Sequence, residues 1–149
     1  MNNKIIIING PNLNLLGERE QSQYGSTTFE QLKENCSKKA QEIGLDVEFA
    51  QSNVEGELVN IIQDARKKFD GMIINAAAFT HTSVAIRDAL DLFKKPIIEL
   101  HLSNIYKREE FRHKSLISGV VTGGIFGLGA EGYILAIISL QKKLQNENR

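Results

Sequence analysis

The chain alternates between short, continuously apolar runs and longer stretches in which apolar residues recur at helical spacing. Ile5 to Ile8 form an all-apolar, β-branched run that stops at Asn9-Gly10-Pro11. Such a run describes a strand buried on both faces and closed by turn residues. From Phe29 the period changes: Phe29, Leu32, Cys36, Ala40 and Ile43 recur every three or four residues, and Gly44 supplies a stop. Thr27 with Glu30 three residues later forms a capping box, which predicts where that helix starts. Leu45, Val47 and Phe49 then alternate with Asp46 and Glu48, the pattern of a strand with one polar face and hence of an edge. A second helix carries Leu58, Ile61, Ile62, Ala65 and Phe69 toward Gly71, and Met72 to Asn75 is a third strand. Thr82 or Ser83 caps a third helix, with Ile86, Ala89, Leu90 and Phe93 inward and Pro96 beyond its end. Ile97 to His101 is a fourth strand, Gly119 to Gly124 a weaker fifth, and Tyr133 to Leu144 a last helix. The charged segment Lys107 to Lys114 suits a short helix with a solvated face. Residues 10–26 show no period and predict a long loop, of a kind that often covers or builds a binding site.

Strands that alternate with helices pair in parallel through right-handed crossovers. Five such units predict an α/β three-layer sandwich with a five-stranded parallel sheet in the flavodoxin-like order 2-1-3-4-5, and the half-polar second strand suits the edge which that order assigns it. The 149 residues suit one catalytic domain spanning 1–149. Eighteen basic side chains balance eighteen acidic ones, so no net charge favours nucleic acid or an anionic membrane as partner. Cys36 is the sole cysteine, which rules out an internal disulfide. One lone thiol and no recognisable secretion signal lead to the expectation of a reducing, cytoplasmic setting. No apolar run is long enough to span a membrane.

In the predicted order strands 1, 3 and 4 are neighbours, and ligands of such sheets sit beyond the carboxyl ends of the strands. Those ends are polar. The first strand runs into Asn12, the third into Asn75 and, shortly after, His81, and the fourth carries Glu99 and His101. A single Asn after a strand is commonly a turn former, and a single His is commonly structural; two of each at adjacent strand ends point to a site. Glu99 and His101 are two residues apart on one strand and so share a face. A carboxylate holding an imidazole fixes its tautomer and raises its basicity; the same spacing also fits a plain ion pair. The long loop adds Arg19 and Tyr24. A phenol, with a reference pKa of about 10, is a poor base near neutrality, but a neighbouring guanidinium favours the phenolate. Arg108 and Arg112 are one helical turn apart, so that one is expected to reach a ligand while the other forms structural pairs.

Gly127-Leu128-Gly129-Ala130-Glu131-Gly132 matches G-x-G-x-x-G, but no second strand with an acidic end follows, as a dinucleotide site requires. Close packing of helix on sheet explains those glycines instead. A phosphate- or flavin-binding module of the same fold would need a phosphate loop after the first strand, where Pro11 removes an amide donor. A non-catalytic assembly subunit would have no use for the Tyr, Arg and His set.

Four segments together resemble type II 3-dehydroquinate dehydratase: Asn9-Gly10-Pro11-Asn12-Leu13-Asn14-Leu15-Leu16-Gly17 with Arg19 and Tyr24-Gly25, Thr80-His81-Thr82-Ser83, Glu99-Leu100-His101-Leu102-Ser103-Asn104, and Arg108-Glu109-Glu110-Phe111-Arg112. The resemblance covers essentially the whole chain. It implies a lyase that removes water from 3-dehydroquinate through an enolate, in the shikimate pathway, with no metal and no cofactor. Tyr24 would match the base, Arg19 its activator, and His101 the acid oriented by Glu99. Asn12 would help to stabilise the enolate. Asn75, His81 and Arg112 would hold ring hydroxyls, and the main-chain amides of Leu102 and Ser103 the carboxylate. Asp88 would reach an adjacent subunit's site in a dodecamer built from trimers. After Asn75 the family often has a glycine where this chain has Ala76-Ala77-Ala78. That stretch is therefore expected either to keep an ordinary conformation or to carry slight strain.

Overall fold

The computed structural model describes residues 1–147. Its sheet has five strands in the order β2-β1-β3-β4-β5: β1 (Asn3–Asn9), β2 (Leu45–Gln51), β3 (Gly71–Asn75), β4 (Ile97–His101) and β5 (Gly123–Phe126). All four pairings are parallel. The helices are the four-residue α1 (Gln21–Tyr24), then α2 (Phe29–Glu42), α3 (Glu55–Lys68), α4 (Val84–Asp91) and α5 (Glu131–Glu147).

Side chains alternate across a strand, and the two helical layers use that alternation. Ile5, Ile7, Ile73 and Leu100 face one core with Leu32, Cys36 and Ala40 of α2 and Tyr133, Ile137 and Leu140 of α5. Ile6, Ile8, Met72 and Ile74 face the other with Leu58 and Ile62 of α3 and Ile86 and Leu90 of α4. Both faces of β1 are thus dry, which is why its sequence is apolar without interruption. Ile97 belongs to the second core. Glu99 and His101, two and four residues on, point to that same side of β4, at its carboxyl end.

Several local expectations shift. The capping box forms one residue later than predicted: Thr28 Oγ1 accepts the Gln31 amide (3.1 Å) and Gln31 Oε1 accepts the Thr28 amide (2.9 Å). Thr28 holds the extended backbone of an N-cap, so Gln31 rather than Glu30 is the residue that can fold back. The fifth strand lies at Gly123–Phe126 instead of at residues 119–124. Val120 and Val121 pack against the second core from a connecting turn, so their apolar character reflects burial without ladder pairing. The charged segment is not one helix. It forms two 3₁₀ turns, Ile105–Lys107 and Glu110–Arg112, separated by Arg108, in extended conformation, and Glu109. The long loop contains a 3₁₀ turn at Leu13–Leu15 as well as α1, anchored by buried Leu13 and Leu16. Among the described residues no helix is long and apolar enough to cross a membrane.

Candidate active site

The carboxyl ends of β1 and β3 are drawn together before any polar group is considered. The Gly10 amide donates to the Asn75 carbonyl (2.8 Å), and a side chain at Gly10 would meet the Ala76 carbonyl oxygen at 2.5 Å. Only glycine permits that approach. The chain turns away from β1 in opposite directions on its two sides, and a crevice opens there.

Asn12, Arg19, Tyr24 and Asn75 line this crevice, as do His81, His101, Leu102, Ser103 and Arg112. Of the remaining predicted residues, Glu99 lies behind His101 rather than in the wall, and Asp88 is exposed on α4, outside its own subunit's crevice.

Asn12 adopts a left-handed conformation, φ 70°, which asparagine tolerates. Its amide donates to Asn53 Oδ1 (2.9 Å), while Gln51 Nε2 donates to the Gly10 carbonyl (3.2 Å). Gln51, the last residue of β2, and Asn53 just past it shape the first loop and carried no sequence signal. Tyr24 lies between two cations. The Arg19 guanidinium is 4.1 Å from its ring centroid and that of Arg108 5.1 Å. The extended backbone at 108 aims Arg108 inward, where it donates to Ser103 Oγ (3.3 Å); its buried Nε has no hydrogen-bond partner among the described residues and lies 3.8 Å from Glu109 Oε1. Arg112 also lines the crevice, while its Nε donates to Glu109 (3.1 Å). Both arginines face the crevice, and Arg112 also makes the structural pair with Glu109.

The histidines are oriented by different partners. His101 Nε2 donates to Glu99 Oε2 (2.6 Å), with both side chains more than nine-tenths buried. Burial pushes the Glu99 carboxyl up, but hydrogen bonds from His101, Ser118 and Ser115 outweigh it and hold the group below the ordinary carboxylate range. His81 Nδ1 donates to the Lys114 carbonyl (2.8 Å), which leaves Nε2 as a free acceptor. Partial burial lowers the His81 pKa, partly offset by that carbonyl, and His101 and Arg112 lower it further. The two imidazoles stack with centroids 6.2 Å apart.

Asn75 is fixed from below. Its Nδ2 donates to the Tyr133 hydroxyl (3.0 Å), and the Ala77 amide donates to its Oδ1 (3.2 Å). Tyr133 donates in turn to Asn9 Oδ1 (2.6 Å). Of the two outcomes expected for the alanine run, strain is realised: Ala77 sits at φ 51°. The glycine loop has a structural use, since Gly127 and Gly129 donate their amides to the carbonyls of His101 and Leu102, and Gly132 packs on Leu100 and Ile125.

A family model described as dehydroquinase class II matches residues 3–141. The chain belongs to that family. "3-dehydroquinate dehydratase 2" of Pseudomonas putida is 50% identical over 141 residues, covering 95% of each chain. The 3-dehydroquinate dehydratase of Caldicellulosiruptor bescii is 51% identical over 142 residues, 95% of this chain and 98% of its own. The crystal structure of type II dehydroquinase from Propionibacterium acnes superposes with a TM-score of 0.92 at 44% identity, covering 95% of this chain and 98% of that one. The class II dehydroquinase fold therefore places a phenol flanked by guanidiniums and a carboxylate-held imidazole on one small crevice. A phenol and an imidazole are both groups that can give or take a proton.

Proposed function

We propose that this chain dehydrates 3-dehydroquinate to 3-dehydroshikimate by trans elimination, in the shikimate route toward aromatic amino acids. The observation that carries this reading is the crevice that Tyr24, between Arg19 and Arg108, shares with His101 backed by Glu99. A ketone acidifies its neighbouring carbon, so the reaction needs a base, a partner for the developing oxyanion and an acid. Tyr24, beside the two guanidiniums, takes the proton as the base, and the C–H electron pair becomes the enolate. Asn12 stabilises the enolate oxygen. The enolate then reforms the ketone and expels the β-hydroxyl, which leaves as water with the proton held by His101. A proton passed from Tyr24 to His101 through solvent restores both groups. Asn75, neutral His81 and Arg112 hold the ring hydroxyls, and the amides of Leu102 and Ser103 the carboxylate. No step calls for a metal or cofactor, and the whole chain acts as one catalytic domain in the cytoplasm.

The exposed position of Asp88 on α4 supports an assembly in which it completes a neighbour's site, in trimers that associate into a twelve-subunit particle. Light scattering tests this directly, and a fully active monomer would refute it. For the reaction, the protein is dialysed against chelator, mixed with 3-dehydroquinate and followed by the ultraviolet absorbance of the conjugated enone. No absorbance at any substrate concentration rejects the function. Tyr24→Phe should nearly abolish turnover while substrate still binds, because one hydroxyl is removed; near-normal turnover would mean that another group is the base.

A further inference from the structure

Glu99 is a carboxylate inside a sheet, and its side chain is 6% exposed. A buried carboxylate persists as an anion only if donors replace the water it has lost. Three donors do so here. His101 Nε2 donates to Oε2 at 2.6 Å. Ser115 Oγ donates to the same oxygen at 3.0 Å, and Ser118 Oγ donates to Oε1 at 2.5 Å. Both serines belong to the segment between the Glu110–Arg112 turn and β5, 16 and 19 residues beyond Glu99. Neither lines the crevice. They border a separate cavity on the other side of the Glu99–His101 pair, next to Tyr106 and Phe126.

We propose that Ser115 and Ser118 are positioning residues for the reaction. They clamp the Glu99 carboxylate in the one orientation that presents Oε2 to His101, and so fix the imidazole that delivers the proton to the leaving hydroxyl. With both oxygens occupied the carboxylate cannot swing without breaking a charge-assisted bond. Without the Ser118 bond, Oε1 loses its one protein donor, at the edge of the second cavity. The group then gains by turning or by taking up a proton, and a protonated Glu99 no longer serves as a full acceptor for His101 Nε2. Other ionisable groups near the pair are His81, which stacks on His101 and feels the Glu99 charge, and Arg112, which acts on His81. Neither donates a hydrogen bond to Glu99 among the described residues, so the serines are the donors that substitution can remove without touching a group in the crevice.

The two serines are not equivalent as test positions. Ser115 Oγ also accepts the amides of Ile117 (3.2 Å) and Ser118 (3.1 Å) and so holds the turn. Its replacement would mix folding with positioning. The Ser118 side chain is committed to Glu99, which makes Ser118→Ala the informative variant and Ser118→Thr, with the hydroxyl kept, its rescue.

The inference rests on His101 acting as the acid, and the experiment separates the two. In Ser118→Ala, kcat should fall on the order of tenfold with KM unchanged, beside a lower melting temperature from the lost bond, and the kcat-against-KM split distinguishes positioning from general destabilisation. The acidic limb of the kcat profile should move to higher pH, because Glu99 now protonates more readily. Ser118→Thr should restore both. The ¹³C carboxyl titration of Glu99 reads the clamp without reference to turnover, and should move upward in Ser118→Ala. A titration unmoved by that change overturns the proposal, as does a rise in KM at constant kcat. Retained turnover in His101→Ala would instead refute His101 as the acid, leaving the carboxyl titration to decide the clamp.

Discussion

Removing one oxygen from Tyr133 tests how much of the crevice is held from beneath. The residue is fully buried, as is Asn9, and Asn75 is 3% exposed. The Tyr133 hydroxyl gives its proton to Asn9 Oδ1 and accepts from Asn75 Nδ2. Tyr133→Phe leaves both amides facing a hydrocarbon edge, and Asn9 Nδ2 already has no partner among the described residues. An unsatisfied buried polar group costs about 1–3 kcal/mol; two such groups, less the hydroxyl that no longer needs desolvation, come to about 1–3 kcal/mol. For a domain of this size that lowers the melting temperature by about 3–9 °C. Scanning calorimetry at one fixed protein concentration measures it, because an oligomer's melting point depends on concentration. KM should rise as well, since Asn75 loses the bond that orients it toward the crevice. Burial also pushes the Tyr133 phenol far up. A raised folded pKa means stability present below the unfolded value, about 10, and lost as pH climbs through it toward the folded value. The gap between wild type and Tyr133→Phe should therefore narrow above about pH 10. A variant that melts within a degree or so of wild type at neutral pH would show that this hydroxyl does not satisfy the two amides.

Three further outcomes follow from particular residues. Ala77 holds a left-handed conformation that costs a β-carbon about 1–2 kcal/mol, so Ala77→Gly should stabilise by about 0.5–1 kcal/mol after the glycine's extra unfolded-state freedom is subtracted; a lower melting temperature would reject the strain. The Cys36 thiol is fully buried, and burial pushes its pKa up to about 12, so it should ignore thiol reagents until the protein unfolds; rapid labelling of the native protein would contradict this. No lysine lines the crevice, so borohydride added during turnover should leave both mass and activity unchanged; a mass gain matching reduced substrate would replace the enolate route with a Schiff base.

Local pattern carried most of the architecture. The uninterrupted Ile5–Ile8 run requires cover on both faces, and the half-polar Leu45–Phe49 stretch requires an edge; together with strict strand–helix alternation they yield the observed order 2-1-3-4-5. That order alone brings Asn12, Asn75, His81 and His101 to one crevice, because parallel strands put all their carboxyl ends on the same side. The i, i+2 spacing of Glu99 and His101 was enough to place them on one face. Contacts between distant segments decided the rest. Whether Lys107–Lys114 forms a helix turns on a few tenths of a kcal/mol per residue, and the inward turn of Arg108 toward Ser103 and Tyr24 outweighs that preference. The fifth strand begins at Gly123 because Val120 and Val121 find burial in a turn, which periodicity cannot distinguish from burial in a ladder. Glu99 meets serines 16 and 19 residues away, and Tyr133 meets Asn9 across 124 residues. A local period records which face of an element is dry. The partner that satisfies a buried polar atom on that face is chosen only when the layers pack.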